Sequence, residues 1–297
     1  MGSTTKQKKR KNLCWPPIIA RGKEIVESYV TGVTLRQLFY RLVSLLLIPN
    51  SENAYKRLSS LTAEGRRNGI FPDLIDQGRS IRRQTWWSSP AEVIQSAYDS
   101  YRRDRTEGQD VSVYIAVEKA GLAKMLMSWF SDRGIPILAL GGFASQTYVN
   151  DIKTDVIDQA YCDAVRRGVS ESGRPAVLLY AGDFDPSGED IYRDFVKRTD
   201  CWLETVNVGL SKAQVAEYGL AINPGKSTDS RAKKFAEKHG VLWQVEVDAL
   251  PPETLRQLYE EALAEFWGDE AYDAVMAEEA KDKKKLARIV KSARRAS

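Results

Sequence analysis

The sequence has few of the residues on which several protein classes depend. Its 297 residues include one histidine and three cysteines, Cys14, Cys162 and Cys201. The cysteines lack the close spacing of zinc ligands, and their odd number predicts no disulfide framework, so we expect a reducing cytoplasm. No apolar run approaches the roughly 18 residues of a transmembrane helix, and the basic N-terminus lacks the apolar stretch of a signal peptide. These absences give no support to catalysis by a Ser-His or Cys-His pair and predict no membrane partner.

Charge is present in quantity but is distributed unevenly. The whole chain has a net charge of +4. Residues 1–104 hold 18 Lys and Arg against 9 Asp and Glu, and residues 281–297 hold eight basic residues against one acidic residue. The segment between them, 105–280, is therefore acidic. Basic ends around an acidic middle predict a protein that grips a polyanion and binds a cation at its centre, although the extreme termini are equally consistent with solvated arms.

The first hundred residues predict a helical DNA-binding domain. After a basic, disordered tail over 1–16, helices are expected near 22–30, after a Thr34 cap at 35–48, and after a Ser51 cap at 52–69. A short, turn-rich basic segment follows, which is the order of a winged-helix (helix-turn-helix) domain over 17–104. The cations expected to contact DNA are Lys56, Arg57, Arg66 and Arg67 on the third helix and Arg79, Arg82 and Arg83 in the wing. Arginine-rich helix faces that simply meet solvent are the alternative.

From residue 105 the pattern changes to strands alternating with helices. Apolar strands such as VSVYIAV, PILAL, PAVLLYA and CWLETVNVG are separated by amphipathic helices. This alternation predicts an α/β domain over 105–250 with a mainly parallel sheet flanked by helices, followed by a C-terminal helical extension over 251–297. Functional residues of such sheets lie at the carboxyl ends of the strands.

Acidic residues stand at those strand ends. Glu118 follows VSVYIAV, and Asp183 and Asp185 follow PAVLLYA within the segment GDFDPSGED. Adjacent parallel strands would bring the three carboxylates together, and unpaired they would repel one another. We therefore expect them to hold Mg²⁺ or Mn²⁺, whose preferred ligands are oxygen atoms, with Lys119 pairing with a carboxylate or a substrate phosphate. The alternative is that these aspartates only cap the following helix.

Two later segments add weaker candidates. In NPGKSTDSR, Lys226 and Arg231 are expected to touch phosphate, although a plain surface loop is the alternative. In VEVDALPP, Glu246 and Asp248 alternate on an expected strand, so one of them can join the cation site or both can face solvent.

The pattern of Glu118 with Asp183, Asp185 and the following PSG resembles the Toprim domain of topoisomerases, primases and some nucleases. The segment GDFDPSGEDI is most similar to the branch of the topoisomerase VI A subunit and the meiotic double-strand-break transesterase, with phage and bacterial Toprim proteins also similar. That branch places a winged-helix domain before the Toprim domain. Its catalytic tyrosine is the second of an aromatic pair after an arginine, and TLRQLFYRLV matches this with Arg36 and Tyr40.

The resemblance implies a homodimeric, Mg²⁺-dependent enzyme of the nucleoid that cuts DNA by tyrosine transesterification. Tyr40 would attack phosphorus, with Arg36 and Lys119 assisting and the metal site contributed by the partner subunit. The ATPase that drives strand passage in the topoisomerase is not in this chain, so a separate ATPase partner is expected for that reaction. Two alternatives stay open: a nuclease that uses the carboxylates and water without the tyrosine, on DNA or RNA, and a DNA-binding protein of a phage or mobile-element pathway that does not cleave.

Overall fold

The chain divides into two compact units. The computed structural model describes residues 13–29, 32–75, 84–168 and 173–296. Unit 1 is Met1–Asp76 and unit 2 is Gln77–Ser297. This division falls earlier in the chain than the boundary predicted at residue 104. None of the helices in the described ranges combines the length and the apolar character needed to cross a bilayer.

Unit 1 contains the three predicted helices. They are α1 (Trp15–Glu27), α2 (Leu35–Ser44) and α3 (Glu52–Arg67). Both expected caps are present: Thr34 forms a capping box with Gln37, and the Ser51 hydroxyl accepts a hydrogen bond from the amide of Ala54. Helix α1 begins two residues inside the segment predicted to be disordered, and α2 ends at Ser44 instead of residue 48. It ends early because the chain turns there, with Leu46 at a φ of 57°.

The core of unit 1 lies between these helices. Leu38, Leu42 and Leu58 are fully buried, and Phe71 closes the cluster after α3. The apolar residues of α2 recur at helical spacing, which explains why this short helix has one buried face. Residues 13–29 and 32–75 contain no strand. The predicted wing cations Arg79, Arg82 and Arg83 lie outside the described residues, so the winged-helix assignment stays a prediction.

Unit 2 is built on a four-stranded parallel sheet, as predicted. The strands are β1 (Ser112–Val117), β2 (Ile137–Ala139), β3 (Ala176–Ala181) and β4 (Trp202–Gly209). Their order across the sheet is β2-β1-β3-β4, and every neighbouring pair is parallel. Every residue of β1 and β3 is buried, which agrees with their nearly continuous apolar sequences.

The described helices of unit 2 are α4 (Pro90–Ser100), α5 (Ala120–Phe130), α6 (Gln146–Arg167), α7 (Pro186–Thr199), α8 (Lys212–Glu217), α9 (Ala232–His239), α10 (Pro252–Ala264) and α11 (Asp269–Ala296). Helices α6 and α7 pack on the face that carries Tyr114, Leu178 and Tyr180. Helices α5 and α10 contact strands of the same sheet, and the Tyr259 hydroxyl of α10 donates to the carbonyl of Ala116.

A small second sheet brings a later segment back toward the main one. It pairs β5 (Asn223–Pro224) with β6 (Trp243–Gln244), antiparallel. The predicted strand over VEVDALPP is therefore wrong: after β6 the chain makes one bridge between Phe184 and Val245 and then a short 3-10 turn. That bridge sets residues 245–247 beside the end of β3.

Helices α4 and α11 pack together within unit 2. Arg105, just after α4, pairs with the buried carboxylate of Glu279 on α11 at 2.9 Å. Arg103 and the Tyr101 hydroxyl both bond Asp282 on the same helix. These polar contacts attach the C-terminal helix to the segment 101–105, which explains why the chain divides before α4 and not after it.

Candidate carboxylate site and the adjoining basic cleft

The register of the sheet brings the acidic strand ends together. Val117 at the end of β1 stands opposite Ala181 at the end of β3. The Glu118 amide then donates to the Ala181 carbonyl at 2.9 Å, and the Asp183 amide donates to Glu118 Oε2 at 3.0 Å. Glu118 and Asp183 are therefore direct neighbours, as the parallel-sheet argument predicted. Both are buried, with 7% and 8% of their surface exposed.

Lys119 lies at the centre of this cluster. Its ammonium nitrogen bonds Asp183 Oδ2, lies 3.4 Å from Glu118 Oε1 and lies 2.7 Å from Glu246 Oε2. The contact with Glu246 has the distance of an ion pair but not the angle of a hydrogen bond. Sequence reasoning expected Lys119 to meet one carboxylate or a phosphate. The fold gives it three carboxylates because residue 246 returns beside the strand ends.

Glu246 is the residue of VEVDALPP that joins the site. The Phe184–Val245 bridge positions it, and the next amide, that of Val247, donates to Asp183 Oδ1 at 2.9 Å. The sequence left Glu246 and Asp248 as alternatives on an expected strand. Asp248 lies in the 3-10 turn after the bridge and is buried, so it does not face solvent.

Asp185 has a clear structural role. Its Oδ1 accepts the Gly188 amide at 2.7 Å as the N-cap of α7, and Pro186 occupies the first turn. Gly188 is required sterically, since a Cβ there would lie 2.4 Å from the Asp183 carbonyl oxygen. The PSG portion of the motif thus folds the helix start tightly against the site. Asp185 therefore does cap the following helix, and it uses one of its two carboxylate oxygens to do so.

Burial and mutual repulsion control the protonation of the cluster. Burial raises the pKa of Asp183, and the neighbouring carboxylates of Glu246 and Glu118 raise that pKa further, more than Lys119 lowers it. Burial also raises the pKa of Asp185, against the hydrogen bond from Gly188. Burial by itself lowers the pKa of Lys119, but Asp183, Glu246 and Glu118 outweigh it, so the net shift is upward and the ammonium stays charged.

The cluster suits a hard divalent cation in its chemistry. All its donors are carboxylate oxygens: Glu118, Asp183 and Glu246 contact the one ammonium, and Asp185 lies buried two residues further along the chain from Asp183. As these side chains stand, no group of three or more Asp, Glu, His or Cys in the described part of the chain encloses a metal position. Lys119 and backbone amides occupy oxygens that an ion would use. A cation at Glu118, Asp183 and Asp185 would therefore require Lys119 to turn aside.

A basic cleft of about 980 Å³ adjoins the cluster. It runs between α7, the end of β4, α8 and α9, and Asp183 and Gly182 form part of its wall. Six cations line it: Arg193, Lys197, Lys212, Arg231, Lys234 and Lys238. Phe184 and Phe235 form an aromatic floor beside them. Asp183, Glu189 and Asp190 also line the cleft, with Glu189 paired to Lys238 and Asp190 paired to Arg193, so cations outnumber carboxylates in its wall.

The two predicted phosphate contacts of NPGKSTDSR take different positions. Arg231 lines the cleft and bonds both carboxylate oxygens of Asp229 at 2.9 Å. Lys226 is exposed on the loop between β5 and α9 and is not among the residues that line the cleft.

In unit 1, Tyr40 borders a shallow depression and is not part of the fully buried core. The depression measures about 390 Å³ and is lined by Arg36, Phe39, Tyr40, Asn50, Ser51, Glu52 and Tyr55. The Tyr40 ring packs edge-on against Phe39, and the Arg36 guanidinium lies 5.5 Å from the ring centre. Arg36 therefore sits one turn before Tyr40 on the same face, as predicted.

The cations predicted on α3 are mostly exposed. Lys56, Arg57 and Arg67 face solvent in unit 1, with Lys56 paired to Glu52 at 2.6 Å. Arg66 is half-buried and donates to the Thr62 carbonyl at 3.3 Å. Three of these four side chains are thus placed where a ligand can reach them.

Comparison with known proteins adds no family assignment. The chain matches no protein-family model, and no curated protein matches it.

Proposed function

We propose that this chain is a Toprim-type protein that cleaves the DNA backbone with the help of a divalent cation. The observation that carries the proposal is the meeting of Glu118 and Asp183, joined by Glu246 and Asp185, at the carboxyl ends of adjacent parallel strands. A buried group with this excess of negative charge gains most from a cation. The basic cleft beside it supports a phosphate-bearing substrate.

In the proposed reaction Tyr40 is the nucleophile. Its phenolic oxygen forms a bond to phosphorus as the bond from phosphorus to the 3′ oxygen breaks. The phenol proton passes to solvent, and the departing 3′ oxygen takes a proton from solvent to become a hydroxyl. Arg36, beside the ring, would hold the phosphate. The bound ion would supply charge stabilisation at the phosphate. The product that the resemblance implies is a 5′-phosphotyrosyl DNA, formed in a homodimer.

A denaturing gel of labelled DNA incubated with Mg²⁺ or Mn²⁺ tests this proposal. Wild-type protein should give DNA that migrates with covalently attached protein. Tyr40→Phe should abolish the adduct, whereas Tyr55→Phe, a tyrosine lining the same depression, should leave it unchanged. Asp183→Asn should also abolish it, whereas Asp194→Asn on the same helix as the cleft residues, paired with Arg198, should not.

The other outcomes select the alternatives. Cleavage that survives Tyr40→Phe but disappears in Asp183→Asn would mean hydrolysis by a metal-dependent nuclease. Retarded migration of DNA without cleavage under either cation would leave a DNA-binding protein with no cleavage of its own.

A further inference from the structure

The C-terminal helix α11 carries a line of cations along one face. Lys284, Arg288, Lys291 and Arg295 are spaced by four, three and four residues, which places them above one another on a helix. All four side chains are exposed. We call these four residues the α11 cationic face.

The opposite side of α11 fixes the helix to unit 2. Glu279 and Val290 are buried, and both lie about half a turn around the helix from the cationic face. Glu279 accepts from Arg105 and from the Arg103 amide, and Asp282 accepts from Tyr101. The α11 cationic face is therefore displayed by a helix that is anchored along its length.

Other cations of α11 form ion pairs with carboxylates, whereas the α11 cationic face does not within the part of the chain that the structure describes. Lys281, Lys283 and Lys285 lie next to Glu278, Glu279 and Asp282 respectively, at 2.5, 3.7 and 2.9 Å. None of the four residues of the α11 cationic face forms an ion pair with a carboxylate in the described ranges.

Apart from Arg295 in the last turn, the four cations give the helix itself no added stability. Like charges three or four residues apart repel and destabilise a helix by a few tenths of a kcal/mol per pair. The helix dipole favours cations only in the last turn, which accounts for Arg295 but not for Lys284 or Arg288. A polyanionic ligand would remove the repulsion.

We infer that the α11 cationic face binds the phosphate backbone of a nucleic acid, at a site separate from the carboxylate cluster. From Lys284 to Arg295 the face extends about 16 Å, with neighbouring cations about 5–6 Å apart. That length meets several phosphates of a duplex, which carries one charge per ~1.7 Å of axis. An anionic membrane fits less well because Val275 and Val290 of α11 are buried, and the exposed Ile289 lies about a third of a turn around the helix from the cationic face.

Binding of the full chain to a fluorescein-labelled DNA duplex, measured by anisotropy in EDTA, tests the inference. The probe variant replaces Lys284, Arg288, Lys291 and Arg295 by glutamine. Removing one phosphate-binding cation reduces the slope of log K against log salt by about 0.9, so the slope should fall by about 2–4, with affinity at moderate salt reduced at least about tenfold. A charge-matched control replaces Lys124, Arg133, Lys233 and Arg256, which are scattered over unit 2, by glutamine. The slope of log K against log salt for this control should differ from the wild-type slope by less than about 1.

Two double variants, Lys284→Gln with Arg288→Gln and Lys291→Gln with Arg295→Gln, should each lower the salt slope by about half as much as the fourfold variant. Circular dichroism checks that α11 stays folded in each variant. A probe variant with the wild-type slope overturns the inference. So does a probe variant that binds DNA normally but no longer sediments with vesicles containing phosphatidylserine.

The inference shares with the proposed function only the assumption of a nucleic-acid ligand. Because EDTA removes the divalent cation, failure here leaves the cleavage test unaffected, and absence of cleavage leaves this test unaffected.

Discussion

Replacing Lys119 by methionine should destabilise unit 2 strongly when no divalent cation is present. Methionine keeps the apolar stem of the side chain and removes the charge. Lys119 is 14% exposed in its side chain, and it contacts Glu246 at 2.7 Å, Glu118 at 3.4 Å and Asp183. Removing one partner from a buried ion pair costs about 3–5 kcal/mol, because the remaining charge is left buried without compensation.

Calorimetry in EDTA measures the effect. For a unit of this size Tm falls by about 2–4 °C per kcal/mol, so the expected drop is about 6–20 °C. Adding Mn²⁺ should then raise the Tm of Lys119→Met more than that of the wild type, because the ion no longer competes with the ammonium. At about 100 times its Kd the ion contributes about 2.7 kcal/mol.

The control is Lys124→Met, a change to an exposed lysine further along α5. Its stability should stay within about 0.5 kcal/mol of the wild-type value, as for most surface substitutions. If Lys119→Met melts like the wild type in EDTA, the cluster does not depend on this cation for its stability. If Mn²⁺ fails to shift the variant, the carboxylates do not form a cation site.

Four further predictions concern buried groups. Apparent Mn²⁺ affinity should rise with pH, because the raised pKa of Asp183 means that a proton must leave before the ion binds; titration calorimetry should show this dependence flattened in Asp183→Asn. Glu279→Gln should cost about 3 kcal/mol near neutral pH. The hydrogen bond from Arg105 lowers the pKa of Glu279 in the folded protein. The extra stability of the wild type over Glu279→Gln is therefore present above the pKa of Glu279 in the unfolded chain, and it should disappear as the pH falls through the pKa in the folded protein. Thermal melts recorded at decreasing pH check this. Tyr180→Phe should be neutral or stabilising by up to about 1 kcal/mol in urea unfolding, because the buried hydroxyl has no partner among the described residues. Gly182→Ala, whose Cβ would lie 2.3 Å from that hydroxyl, should destabilise less when combined with Tyr180→Phe; equal losses of stability in both backgrounds would contradict this geometry.

Local sequence signals determined most of the elements. The caps at Thr34 and Ser51 and the apolar runs of β1 and β3 each depend on residues close in the chain, so they could be recognised without a structure. The meeting of Glu118 with Asp183 was also predictable, because parallel strands align their carboxyl ends. These inferences needed only short-range propensity and one general rule of sheet topology.

Only the tertiary structure decided how the site is completed. Glu246 reaches Lys119 because one bridge between Phe184 and Val245 connects segments about sixty residues apart, and no local pattern specifies such a pairing. Likewise, no local pattern specifies that α4 packs against α11 or that Arg105, just after α4, pairs with Glu279 on α11. The amino-acid sequence by itself determines which residues carry charge and where most helices and strands begin. Long-range packing decides which of those charges share a buried space, and therefore which must be neutralised.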